Sequence, residues 1–142
     1  MGRNDDTVLA RLADIAVFRH CSKKELHEVT RLSTEVTVPE GRTLTTEGER
    51  GHEFAIVLSG TASVSRGGAV IATLAAGDHY GEMALLDDGP RTATIVATSP
   101  MSLAVVGRAE FGQLLEDVPA LAVSILRGMA RRLRELDASP AI

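Results

Sequence analysis

The spacing of apolar residues changes twice along this chain. Over residues 6–16 it is helical, with Val8, Leu9, Leu12, Ile15 and Ala16 falling on one face. A second helix is predicted from "CSKKELHEVTRL". Ser22 is a good N-cap, Glu25 stands three residues on in the capping-box arrangement, and Leu26, Val29 and Leu32 form the apolar stripe. From residue 35 the period drops to two. "EVTVPEG" and "RTLTTEG" alternate polar with apolar positions, and each ends in a Glu-Gly turn. "EFAIVLSG" reads as a more fully buried strand, followed by "TASVSRGG", "AVIATLAAGD" and, beyond residue 100, "MSLAVVG". The helical period returns in "RAEFGQLLEDV" and in a longer helix from Pro119 to about Asp137, striped by Leu121, Ile125, Met129 and Leu133.

Helices, then evenly spaced short strands, then helices predict an α+β fold in which the strands make a small barrel, roll or sandwich. The expected limits are N-terminal helices over 5–33, strands over 35–106 and C-terminal helices over 108–137, all within one domain spanning 1–142.

Composition narrows the function. A net charge of −4 argues against broad nucleic-acid binding, so no direct DNA contact is expected. No stretch approaches the length of a membrane span, and the charged N-terminus has no apolar signal segment. The single cysteine, Cys21, excludes an internal disulfide framework and is expected to serve packing, which fits a cytoplasmic setting. His20, His27, His52 and His79 are scattered without paired metal-ligand spacing, so neither a metal nor a bound cofactor is expected. Elbow, Cys/His and Walker patterns are absent, and the chain reads as a binding module, not an enzyme.

One segment departs from this plain background, "GDHYGEMALLDDGPRTATIVA" over 77–97. "GEMALL" reads as a short helical turn entered through Gly81, where the missing Cβ allows a ligand close to the backbone. Pro90 limits the wandering of Arg91, whose planar fork of donors beside helix-end amides suits a phosphate. Glu82 is an acceptor whose natural partner is a neutral hydroxyl such as that of a ribose. Together they describe a sugar-phosphate ligand, with apolar strand left to wall in a base.

The same segment resembles the phosphate-binding cassette of cyclic nucleotide-binding domains. The resemblance extends to "PEGRTLTTEGERGHEFAIVLSGTASV" and to "LRGMARRLREL", which is similar to the long helix that follows the roll in bacterial catabolite-activator-like proteins. It implies a β-roll of about eight antiparallel strands, jelly-roll-like, with N-terminal helices and a long C-terminal helix. Carried over by position, Glu82 would accept from the ribose 2′-hydroxyl and Arg91 would pair with the cyclic phosphate. The N–H groups of Met83 and Ala84 would complete the cradle begun at Gly81, and Thr92 would offer its hydroxyl to the phosphate or to a guanine. Ile71 and Leu74 fall where strand side chains line the base or ribose, with core packing the favoured alternative for both.

The position that caps the base in the bacterial activator falls at Leu136-Asp137, and Leu136 is the residue expected near the base. Arg127, Arg131, Arg132 and Arg134 are expected on a solvated face of the last helix, with contact from Arg132 to the nucleotide or to Glu82 the minority alternative. The implied function is that of a regulatory sensor for a cyclic nucleotide, cAMP ahead of cGMP, reporting occupancy through its last helix. That helix could meet an effector or, through Ala122, Leu126 and Ala130, a second copy. The competing reading is a protein-interaction module of the same fold that no longer binds ligand.

Overall fold

A computed structural model describes the backbone of residues 3–136 and, apart from residues 3–7, Val17 and Leu136, their side chains. Helix α1 (Arg3–Ala13) is followed by a 3-10 turn (Ala16–Phe18) and helix α2 (Lys23–Leu32). Strands β1 (Thr34–Val38), β2 (Thr43–Thr45), β3 (Glu53–Ser59), β4 (Ala62–Arg66), β5 (Ala69–Leu74) and β6 (His79–Tyr80) then lead into helix α3 (Glu82–Leu86). Strands β7 (Thr94–Ala97) and β8 (Met101–Gly107) close the β region, and helices α4 (Arg108–Asp117) and α5 (Pro119–Leu136) end the described chain.

The strands form two antiparallel four-stranded sheets, in the orders β1-β8-β3-β6 and β2-β7-β4-β5. Strand β3 explains how the layers stack. Side chains alternate across a strand, so Phe54, Ile56 and Leu58 face one way and Ala55 and Val57 the other. The first three join Val8, Leu12, Phe18, Val29, Phe111, Leu114, Leu121 and Ile125 in a core between sheet and helices. Ala55 and Val57 join Val38, Ala62, Val64, Tyr80, Ile95, Met101 and Leu103 in a second core inside the roll. A strand buried on both faces has no polar side to spare, hence the unbroken apolar run from 54 to 58.

At the N-terminus, α2 carries the predicted capping box: Glu25 N–H donates to Ser22 Oγ at 3.1 Å, and Ser22 N–H donates to Glu25 Oε1 at 2.9 Å. The first helix differs from expectation. It ends at Ala13, and the 3-10 turn that follows leaves Ala16 exposed while Ile15 still packs inward. The period that seemed continuous spans two elements whose apolar side chains meet the same core.

The last helix also departs from its predicted stripe. Leu121 and Ile125 are buried and Met129 is partly so, but Leu133 is 70% exposed. Eighteen residues at a rise of 1.5 Å give a helix about 27 Å long, and the apolar stripe outruns the body that covers it. On its other side Leu126 is 63% exposed. Strand β5 corrects another expectation: it is a sheet edge, with Ile71 52% exposed and only Leu74 packing inward, so Ile71 is no core residue. Cys21 packs, partly buried, against the helical core, where burial raises its thiol pKa. Among the described residues no helix is long and apolar enough to cross a membrane, and no cluster of His, Cys, Asp or Glu could hold a metal ion.

Candidate functional site

The register of β6 on β3 sets up the site. His79 lies opposite Ile56 and Tyr80 opposite Ala55, so the two side chains point to opposite faces of the sheet. His79 comes down on the helical side, over the ring of Phe54 with centroids 5.5 Å apart. Tyr80 enters the interior of the roll, where burial pushes its phenol up to about 12, with Glu53 acting in the same direction. The chain then turns at Gly81, φ +96°, directly into α3. A left-handed residue here disfavours any side chain, and space forbids one too: a Cβ would lie 2.5 Å from the Glu53 carbonyl oxygen and 2.6 Å from Nη1 of Arg91.

Glu82, the first residue of α3, is 3% exposed. Its Oε1 accepts from Nη1 of Arg132 at 3.3 Å, and its Oε2 faces Nδ1 of His79 at 3.4 Å. That second contact is close enough for electrostatic attraction but does not have the geometry of a made hydrogen bond. Burial pushes the Glu82 carboxyl up. The facing His79, the residue's own backbone N–H and the Arg132 guanidinium outweigh burial, so the group sits below the ordinary carboxylate value and is ionised near neutrality.

Arg91 follows the Asp87-Asp88-Gly89-Pro90 turn and is 9% exposed. Its backbone is clamped: its N–H donates to Glu49 O at 2.7 Å and its carbonyl accepts from Gly48 N–H at 2.9 Å. Its stem rests on Gly51, where a Cβ would come within 2.6 Å of the Ala84 Cβ and 3.0 Å of Arg91 Nε. Arg108, at the start of α4, braces this frame by donating to Gly51 O at 2.7 Å and pairing with Asp88 at 3.2 Å. Nη1 of Arg91 is buried without a hydrogen-bond partner. Burial lowers the guanidinium pKa, and Tyr80, Glu53 and Glu82 only partly offset that. A cation so placed lacks the hydrogen-bonded anion that normally accompanies a buried charge.

Among the described residues, the buried side-chain N and O atoms without a hydrogen-bond partner are His79 Nδ1, Glu82 Oε2 and Arg91 Nη1. All three belong to this one segment. Concavities elsewhere, about 480 Å³ between α1 and α2 and about 900 Å³ between α1, the turn at 75–78 and α5, contain none of these atoms. The chemistry singles out the cassette.

Gly81, Glu82, Met83, Ala84 and Arg91 are thus brought together, with Ala84 buried behind them. Thr92 is adjacent but exposed, and its carbonyl accepts from Arg66 Nε at 2.9 Å. Arg132 stays 54% exposed and also makes the alternative contact named for it, reaching Glu82 at 3.3 Å and the sulfur of Met83 at 3.5 Å. Arg127, Arg131 and Arg134 are exposed. Leu136 ends α5 with its side chain outside the described part of the structure, and Asp137 lies beyond it. Sequence reasoning missed His79 and Gly51 as site residues. The histidine carries no local signal, because strand pairing and a chain reversal bring it to Glu82. Gly51 shows no local signal either, because the side chains that leave no room for a Cβ there, Ala84 and Arg91, are distant in sequence.

Known proteins resemble this chain in sequence and in fold. Residues 35–118 match the cyclic nucleotide-binding domain. A cAMP-dependent protein kinase regulatory subunit from Yarrowia lipolytica is 37% identical over 109 residues, 75% of this chain and 29% of that protein. The chain therefore spans under a third of the length of that relative. A solved structure of PKAR CBD2 with bound Sp-2Cl-cAMPS superposes with a TM-score of 0.80 at 26% identity, covering 96% of this chain and 94% of the other. The catabolite activator protein of Thermus thermophilus superposes at 0.77 with 30% identity, over 85% and 59% of the two chains. Sequence and fold agree: this chain belongs to the cyclic nucleotide-binding domain family.

Proposed function

We propose that the chain is a regulatory sensor that binds a cyclic nucleotide in the α3 cassette, prefers cAMP to cGMP, and reports occupancy through α5. The observation that carries this reading is Arg91: a clamped, buried guanidinium whose Nη1 has no partner is matched by an anion of its own size and geometry. A cyclic phosphate seated there would take the Arg91 fork and the N–H groups of Met83 and Ala84, with Gly81 leaving the backbone open. Glu82, held ionised, accepts from the ribose 2′-hydroxyl. Thr92 adds its hydroxyl at the phosphate, and Leu74 and the exposed Ile71 offer apolar surface on the base or ribose side. Leu136 is assigned to the base.

Preference for cAMP is supported by the relatives, one a cAMP-dependent subunit and one a structure holding a cAMP analogue. Thr92→Ala weakens both nucleotides alike if its hydroxyl serves only the phosphate. A loss confined to cGMP would assign Thr92 to the guanine. Transmission through α5 is supported by Arg132, which ties that helix to the same carboxylate the ribose would engage. A ligand at Glu82 moves α5 only if it favours one helix position over another, and a shared carboxylate supplies such a preference. The exposed Leu126 and Leu133 leave α5 with apolar surface for an effector or a second copy. A cytoplasmic setting suits a free, packed Cys21.

Calorimetric titration with cAMP and cGMP tests the binding reading. Saturable binding, tighter for cAMP, is the expected result. A folded protein that binds neither would leave the interaction-module alternative standing. Hydrogen exchange with and without cAMP tests transmission. Slowed exchange across 120–136 as well as the cassette is expected, and protection confined to 71–95 would sink it.

A further inference from the structure

The His79 contact carries an inference that rests on the reading above. A buried carboxylate that must present one oxygen to a ligand hydroxyl has to be prevented from rotating. Arg132 holds Oε1 only loosely, through a long contact from a half-exposed side chain. The other oxygen meets a firmer neighbour. The His79 ring is 17% exposed and packed on Phe54, which itself lies 4.9 Å, centroid to centroid, from Phe111. The ring sits in β6, a two-residue edge strand paired to the buried β3, and its packing on Phe54 fixes it against the core. Its inward nitrogen Nδ1 is buried and partnerless except for Oε2 of Glu82, 3.4 Å away. The charged groups facing this pair are Glu82 itself from α3 and Arg132 from α5.

We propose that His79 is a positioning residue for recognition of the ribose 2′-hydroxyl: with its proton on Nδ1 it donates toward Oε2 of Glu82 and turns Oε1 to the ligand. A carboxylate has lone pairs enough for His79 on one oxygen and both Arg132 and the hydroxyl on the other. Selectivity for a 2′-hydroxyl therefore depends on a residue that never touches the nucleotide.

The test compares the dissociation constants of cAMP and 2′-deoxy-cAMP for wild type, His79→Ala and His79→Asn, each checked for a cooperative thermal melt. Wild type should favour cAMP by about 5- to 150-fold, the range for leaving a buried acceptor without its donor. In His79→Ala the ratio should collapse toward one, through weaker cAMP binding with 2′-deoxy-cAMP little changed. His79→Asn, whose amide nitrogen can stand near the place of Nδ1, should restore most of the ratio. If the alanine variant does not fold, His79→Phe keeps a ring on Phe54 while removing the donor and should behave as alanine is expected to. Equal weakening of both ligands, or an unchanged ratio, would show that His79 only packs and would overturn the proposal while leaving Glu82 as the acceptor. A wild type that binds both ligands equally would overturn the assignment of Glu82 as well, and with it the basis for a role of His79.

Discussion

Two polar clusters in this molecule each contain an arginine and a glutamate and have opposite characters. Beneath α1, Arg11 donates to Glu35 at 2.9 Å and to Ser102 Oγ at 3.1 Å, and the Ser102 hydroxyl donates to the same Glu35 oxygen at 2.9 Å. These three bonds close a ring that ties α1 to β1 and β8. In the cassette, Arg91, Glu82 and His79 are as near to the core or nearer, yet each leaves a buried polar atom without a hydrogen bond. Satisfied polar groups hold a fold together, whereas buried groups left short of partners are costly and persist where something else completes them. The contrast lies in the pairing of the atoms, since both clusters contain an arginine and a glutamate.

The largest effect that could break this contrast is at Arg91. Arg91→Ala should weaken cAMP binding by roughly 30-fold to several thousand-fold, corresponding to about 2–5 kcal/mol for a truncated buried charge pair. Its thermal stability should not fall, because the charge removed had no hydrogen-bonded anion in the fold. Binding unchanged in a folded Arg91→Ala protein would remove the phosphate assignment. Glu35→Ala is the mirror experiment. It should lower unfolding free energy by about 1–3 kcal/mol by stripping two donors of their acceptor. Measured by chemical denaturation beside calorimetry, it should leave cAMP affinity within about twofold, as expected for distant, independent sites.

The α2 capping box is a second satisfied cluster and sharpens the rule. Ser22→Ala should cost about 1 kcal/mol of stability, read as a lower denaturation midpoint, and leave nucleotide binding alone.

The pH dependence is the smallest effect. The folded-state pKa of Glu82 lies below its ordinary 4.5, so the stability it contributes is present above that value and lost as pH falls through the folded value. The stability advantage of wild type over Glu82→Gln should therefore shrink as pH falls below the ordinary carboxylate pKa. A difference that stayed flat through the acid range as well would show that the Glu82 carboxyl is not held below its ordinary value.

Much of the architecture is legible along the chain because it rests on local periodicity. The Ser22–Glu25 cap, the two-faced burial of β3 and the strand–glycine–helix junction at Gly81 each follow from residues within a few positions of one another. Errors arose where distant packing overrode a local pattern. Ala16 and Leu133 continue apolar stripes but find nothing to cover them, and Ile71 is an apolar strand residue on an unpaired edge.

The sequence by itself determined the helix–strand–helix order, the cassette and the identities of its acid and its base, because a backbone turn and a helix start are short-range events. Only the tertiary structure decided that Arg91 is buried with an unpartnered nitrogen, that His79 faces Glu82, and that Arg132 returns from α5 to meet the same carboxylate. Those relations span up to 50 positions and depend on strand register and on where a helix comes to rest. Periodicity cannot encode them, since each is a property of two distant segments brought into contact, and electrostatics acts on distance in space, whatever the separation along the chain.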